Sequence, residues 1–268
     1  MNNHKNHKED TKFPFSFREP SYESYIFSYL YKINQFLESE KQPHAFFGGV
    51  AVSAYSGHLP RALHDFDIII PKGEEIRFVS YLCSQGFIER STRKTHQAHF
   101  RKFIYEDDRY QIIIAIFPGE FTLINLADSN LSIIGTYDFG PALEHGIERS
   151  IYALGGNGTV SVITVPIEDL IISKLWPTFE PKLIHDLILL LGSEDAKHLD
   201  LSYLAARMKQ VENMRPITLE TLNRFLSVYD KSLWSKGLPK HKTIKAQARC
   251  LIETLNSKNL HISDNPLI

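Results

Sequence analysis

Cysteine is nearly absent. Two residues in 268, Cys83 and Cys250, are too few and too far apart for a disulfide framework or a cysteine-ligated metal centre, and they fit a reducing compartment. Charge of one sign is lacking too: the formal net charge is −1, so no global basic field recruits nucleic acid, and any RNA contact needs a local patch. No apolar run reaches membrane-spanning length, and the polar, His- and Lys-rich first residues contain no signal-peptide core. These absences point to a soluble cytoplasmic protein without a membrane partner. Met1 to Lys12 also lacks periodicity, so residues 1–20 are expected to be a disordered tail, with His4 and His7 solvated rather than ligating. The length suits one large domain or two small ones.

What is present is concentrated between Phe46 and Pro71. An apolar strand runs into Gly48-Gly49, an apolar segment with helical character follows, and a second strand carries Asp65 and Asp67 two positions apart. Successive strand side chains alternate between faces, so the two carboxylates share one face while Phe66 and Ile68 fill the other. Adjacent carboxylates repel unless a cation or proton neutralises them. Mg²⁺ (or Mn²⁺) is a hard ion that takes one or two carboxylates plus phosphate oxygens, and a nucleoside triphosphate meets that description. Glycines let backbone approach a phosphate, a helix start offers unpaired N–H groups, and Arg61 adds a planar cation.

Around this stretch the pattern predicts a helix over 21–40, a strand at 45–47, and a helix over 73–85 whose face is Ile76, Val79, Leu82 and Cys83, closed by Gly86. Strands are expected at 87–90, 97–105 and 109–117, with Glu106-Asp107-Asp108 as a hairpin turn, and further short strands at 123–137 and 151–165. Gly155-Gly156-Asn157-Gly158 reads as a turn, because it lacks the spacing and the Lys-Ser/Thr of a phosphate loop. His96 and His99 lie at a strand start and face opposite sides, which makes them structural or surface residues. A helix begins at Pro166-Ile167-Glu168-Asp169, the acids suiting its positive end, and Lys174 projects from its apolar face. The helix opened by Pro181 carries Asp186 on its inner face, so the two charges are expected to pair. Beyond Gly192 the chain is helical by pattern at 199–211, 219–235 and 241–256, and Lys240, Lys242, Lys245 and Arg249 form a modest basic face of solvated character.

The order Gly48-Gly49, helix, Arg61, then Asp65-x-Asp67 resembles the nucleotidyltransferase superfold of the DNA polymerase beta type, over roughly residues 44 to 192. It is most similar to the small bacterial branch that includes toxins of type IV toxin-antitoxin systems. That resemblance implies an α+β fold: a mixed sheet flanked by helices in a nucleotidyltransferase-like domain over 21–165, then a helical C-terminal region over 166–268. It implies Mg²⁺ or Mn²⁺ on Asp65 and Asp67, a triphosphate at Gly48, Gly49, Arg61 and Lys174, and an activating role for Asp186. The implied reaction transfers a nucleotidyl group to a hydroxyl of RNA, a protein or a small molecule, with an antitoxin or toxin as partner. The chain departs from the pattern in three places: Leu63 stands where Thr is common, Leu183 where another Asp is usual, and Ala115 of Ala115-Ile116-Phe117-Pro118 where a third carboxylate belongs. Glu106, Asp107, Asp108 and Glu120 are the candidate substitutes. Without a third acid catalysis suffers more than binding, so the alternative is a non-catalytic regulator that binds nucleotide or a partner.

Overall fold

The computed structural model describes residues 20–59, 63, 65–90, 100–108, 110–125, 132–153, 158–175, 181–210, 214–231 and 241–256. Helix α1 (Pro20–Ser39) forms because Ile26, Leu30, Ile33 and Leu37 recur three and four apart, and all four are fully buried. It ends where Lys41 adopts φ 50° and Gln42 N–H reaches back to the Leu37 carbonyl at 2.9 Å, a left-handed cap followed by Pro43. The chain then enters β1 (Ala45–Phe47) and turns straight into α2 (Gly48–Ser56). Residues from Gly48 to Tyr55 are all buried, so this short helix is apolar on every side and lies inside the molecule.

The rest of the sheet follows as β2 (Asp65–Ile69), β3 (Ile88–Arg90), β4 (Arg101–Glu106), β5 (Gln111–Phe117), β8 (Ile147–Tyr152) and β9 (Thr159–Thr164). Strands β6 (Glu120–Asn125) and β7 (Ser132–Asp138) make a separate two-stranded ribbon. The seven-stranded order is β3-β4-β5-β2-β1-β9-β8. It is a mixed sheet: β2 runs parallel to β5 and β1 parallel to β9, and the other pairs are antiparallel. Helices cover both faces, α3 (Ile76–Ser84) and α1 on one side, and α5 (Ile167–Leu175), α6 (Pro181–Leu191) and α7 (Leu201–Lys209) on the other, while α2 gives Val50 and Ala54 to the first core and Ala51, Val52 and Tyr55 to the second. The short α4 (Gly140–Glu144), and α8 (Met214–Lys231) and α9 (His241–Asn256), add to the second layer. The fold is α+β. No described helix is long and apolar enough to cross a membrane.

One expected face is corrected. In α3 it is Phe78 and Leu82 that are buried, with Val79 partly so, whereas Ile76 is 66% exposed and Cys83 is exposed. The helix starts only after a turn in which Glu74 N–H bonds the Pro71 carbonyl, and the larger ring of Phe78, packed against Phe36, takes the sheet-facing position. Of the tail expected over residues 1–20, Pro20 instead opens α1, and residues 1–19, His96, His99, Lys240 and most of the 155–158 turn lie outside the described residues; β8 pairs antiparallel with β9, and Ala153 N–H donates to the Gly158 carbonyl at 3.0 Å, which is the hairpin that turn was expected to make.

Just before β1, His44 is buried with its Nδ1 donating to the Gln42 carbonyl at 2.7 Å, and its Nε2 has no hydrogen-bond partner among the described residues. Burial therefore holds its pKa below the ordinary 6.5. Between that value and the folded one, the unfolded chain binds a proton that the folded chain does not, so stability is complete at neutral pH and is lost as pH falls through this window. We expect the melting temperature to drop between about pH 7 and 5, and the drop to shrink in His44→Gln; equal pH profiles for the two proteins would assign the acid sensitivity elsewhere.

Candidate functional site

The turn from β1 into α2 sets the site. Gly48 has φ +58°, and a Cβ built on it would lie 1.9 Å from Asp67 Oδ2. Only glycine allows both the left-handed backbone and that approach. Phe47, which precedes the helix, supplies no side-chain cap, so the first-turn N–H groups of a nine-residue helix begin beside a carboxylate. Gly49 follows, buried, with its carbonyl taken by Ser53 Oγ at 2.9 Å.

β2 brings the acids. Its residues alternate as expected: Asp65 is exposed and Asp67 half-buried, while Phe66 and Ile68 are buried in the core on the α1 side. Ile69 joins the opposite core with Ala115 and Phe117, so Asp65 and Asp67 stand on the face that looks toward α2 and the C-terminal helices. Phe47 of β1 is the register partner of Asp67 on one side. Its ring packs edge-on against Phe139, at 5.2 Å between centroids. That puts an apolar wall beside Asp67.

On the other side Asp67 pairs in register with Ala115 of β5. Ala115 is 6% exposed and lies on the same sheet face as the two acids, so no carboxylate stands at this register position. Of the candidate substitutes, Glu106 ends β4 opposite Gln111, two positions beyond the pair Ile104 and Ile113 that adjoins Asp65. Asp107 is used by the hairpin: it accepts from Tyr25 OH at 2.9 Å and from the Tyr110 N–H at 2.8 Å. Asp108 is exposed at the turn, and the side chain of Glu120 lies outside the described residues. Among the described residues no three His, Cys, Asp or Glu side chains gather as a metal group. Two carboxylates against a glycine-bounded backbone fit a single hard cation that shares its remaining positions with phosphate oxygens and water.

Lys174 and Asp186 do pair, Nζ to Oδ2 at 3.0 Å, and their side chains are 9% and 1% exposed. The pair joins α5 to α6, and both helices pack against α2 through Ala51, Val52 and Tyr55. Leu183 is half-buried on α6. Leu63 is buried, and its carbonyl accepts from Tyr22 OH. Arg61 lies outside the described residues.

One cluster escaped the sequence reading. Glu168 and Asp169 are not merely acids at a helix start; both are buried. Glu168 accepts from the Asp200 N–H at 2.7 Å, and burial, with Asp169 beside it, raises its pKa. Asp169 accepts from Arg207 Nε and from Tyr203 OH, each at 2.7 Å, and also from Tyr137 OH. Arg207 is 2% exposed, lies 4.2 Å from the Tyr137 ring centroid, and donates to the Asp138 carbonyl at 2.6 Å. Burial alone would lower its pKa, but Asp169 and the tyrosines carry it above the ordinary value. The signal was available: Arg207 lies within the apolar stripe Leu204, Ala205, Met208, where an arginine needs a partner.

Comparison with known proteins adds structures rather than families. No protein-family model matches the chain, and no curated protein matches it. Its structural neighbours are nucleotidyltransferases. The lincosamide antibiotic adenylyltransferase LnuA, lincomycin-bound, is 16% identical over 62% of this chain and 94% of that chain, with a TM-score of 0.41. An antigenic nucleotidyltransferase-like protein from Paracoccidioides brasiliensis is 17% identical over 64% and 76%, with a TM-score of 0.39. The solution structure of the antibiotic-resistance factor ANT(2'')-Ia is 16% identical over 78% and 97%, with a TM-score of 0.43. Identities and scores this low leave the functional reading to the chain's own geometry.

Proposed function

We propose that this chain transfers a nucleotidyl group from a nucleoside triphosphate to an acceptor hydroxyl. The observation that carries the reading is the carboxylate of Asp67 lying against Gly48 at the start of α2, with Asp65 on the same face. In this reading the N–H groups at Gly48 and Gly49 meet the triphosphate, Arg61 and Lys174 add positive charge, and Asp65 and Asp67 hold the cation. Mg²⁺ or Mn²⁺, when bound, neutralises phosphate charge and polarises the reacting phosphoryl group. An acceptor oxygen forms a bond to the α-phosphorus, the α–β bridging bond breaks, pyrophosphate leaves with the electron pair, and the hydroxyl proton goes to water. The acceptor hydroxyl belongs to RNA, a protein or a small molecule.

The test is calorimetric titration of the protein with ATP, GTP, CTP and UTP, with and without Mg²⁺ or Mn²⁺. At least one triphosphate is expected to bind only with the metal; no heat and no thermal shift with any of them ends the reading. The second reading, a non-catalytic regulator that binds nucleotide or an antitoxin or toxin partner, is favoured by Ala115 opposite Asp67. It expects binding without incorporation of α-labelled triphosphate into any acceptor.

Lys174 separates binding from scaffolding. Lys174→Met leaves Asp186 buried, so the loss of stability is expected to be about 3–5 kcal/mol. If the ammonium also serves the triphosphate, nucleotide affinity measured well below the lowered melting temperature falls as well. A melting drop with unchanged affinity assigns the pair to scaffolding alone.

A further inference from the structure

The site face continues beyond Asp67 across three strands in register: Asp67 beside Ala115, Ala115 beside Lys102, and Lys102 beside Arg90. Register partners share a face. Lys102 therefore stands two strands from Asp67, about 10 Å away from backbone to backbone, with only a methyl group between them. It is half-buried, and among the described residues it makes no ion pair. The next row, Asp65, Ile113, Ile104 and Ile88, places apolar residues beside it. Ile88 is 57% exposed, and none of the three isoleucines belongs to either core.

We propose that Lys102 supplies, on the acceptor side of Asp65 and Asp67, the positive charge that a second divalent cation supplies in a site with three carboxylates, so that this site works with one metal ion. The inference rests on the proposed nucleotidyl transfer. Charge supports it. Three carboxylates with two divalent cations, and two carboxylates with one divalent cation and one ammonium, present the same single positive charge to the substrate. Geometry supports it too: the glycine turn lies on the β1 side of Asp67, which leaves the β5–β4 side for the acceptor, and Ala115 leaves room there for a four-carbon stem. The ammonium touches the attacking oxygen and stabilises the negative charge that develops as its O–H proton leaves to water. Arg90 behind it keeps the row cationic, which disfavours cationic acceptors.

The test counts metal ions. Wild type is titrated with Mn²⁺ by electron paramagnetic resonance in the presence of the α,β-methylene analogues of ATP, GTP, CTP and UTP, which cannot undergo transfer. We expect one tightly bound Mn²⁺ per chain, and a second only in the double variant Ala115→Asp/Lys102→Ala. In Ala115→Asp alone the new carboxylate meets Lys102, so the count stays at one. In transfer assays Lys102→Ala should lower kcat about 100-fold with KM for the triphosphate changed by less than about threefold, and Lys102→Arg should recover most of the loss. An unchanged melting temperature shows that Lys102→Ala is folded. Two Mn²⁺ in wild type, or wild-type kcat in Lys102→Ala, overturns the inference and leaves the proposed function standing. A wild type that binds none of the four analogues removes the proposed function and the inference with it.

Discussion

Asp67→Ala is expected to abolish metal-dependent triphosphate binding while leaving the protein folded. The reason is local. Asp67 is half-buried on the site face beside Asp65, so its removal relieves repulsion between two acids and deprives the cation of the ligand held against the glycine turn. Asp65→Ala should act in the same direction. Gly48→Ala provides a second route to the same loss without touching a carboxylate: its Cβ would need the space of Asp67 Oδ2, and φ +58° is strained for alanine by about 1–2 kcal/mol. The measurements are calorimetric titration with Mg²⁺-triphosphate and thermal melting of each variant. If Asp65→Ala and Asp67→Ala both unfold, the acids belong to the scaffold; if Asp67→Ala still binds triphosphate with the same metal dependence, the cation sits elsewhere.

Arg207→Leu should be the most destabilising single change that leaves the nucleotide site intact. It strands Asp169 in the interior with two tyrosine hydroxyls and no cation, at a cost of about 3–5 kcal/mol. For a chain of this size that lowers the melting temperature by roughly 5 to 10 °C. Asp169→Leu/Arg207→Leu removes both charges, so it should recover part of the loss, because burying an uncompensated charge costs more than burying neither. Urea unfolding of the two variants and wild type is the check. Equal midpoints for wild type and Arg207→Leu would mean that the network ties nothing together.

The parts of the site that follow from two-residue alternation were legible in the sequence. Asp65 and Asp67 share a face because strand geometry leaves no other choice, and Lys174 and Asp186 meet because a charge on an apolar helix face needs an opposite one. Ala115, picked out by the run Ala-Ile-Phe-Pro, is the register partner of Asp67. Three things were not legible. The approach of Gly48 to Asp67 depends on a backbone angle and a strand pairing that no residue pattern states. The buried face of α3 went to Phe78 because packing against Phe36 outweighed the spacing that favoured Ile76. Glu168 and Asp169 were already accounted for by the helix dipole, so nothing in their own stretch called for Arg207, which arrives from a helix elsewhere in the chain.

The strand that leads into the glycine turn also governs how the chain can be made. β1 takes β2 on one edge from nearby sequence, but on the other edge Phe46 waits for Thr164. During synthesis the strands from β2 to β5 can assemble early, while the second edge of β1 stays open until β9 has emerged and the helices after it can cover the site face. Pairing of such high sequence separation is slow, because loop closure must precede any contact that rewards it. The nascent chain therefore carries an apolar strand edge, Ala45-Phe46-Phe47, until β9 has been made, and its yield should respond to holding chaperones and to the speed of the ribosome more than the stability of the finished fold would imply.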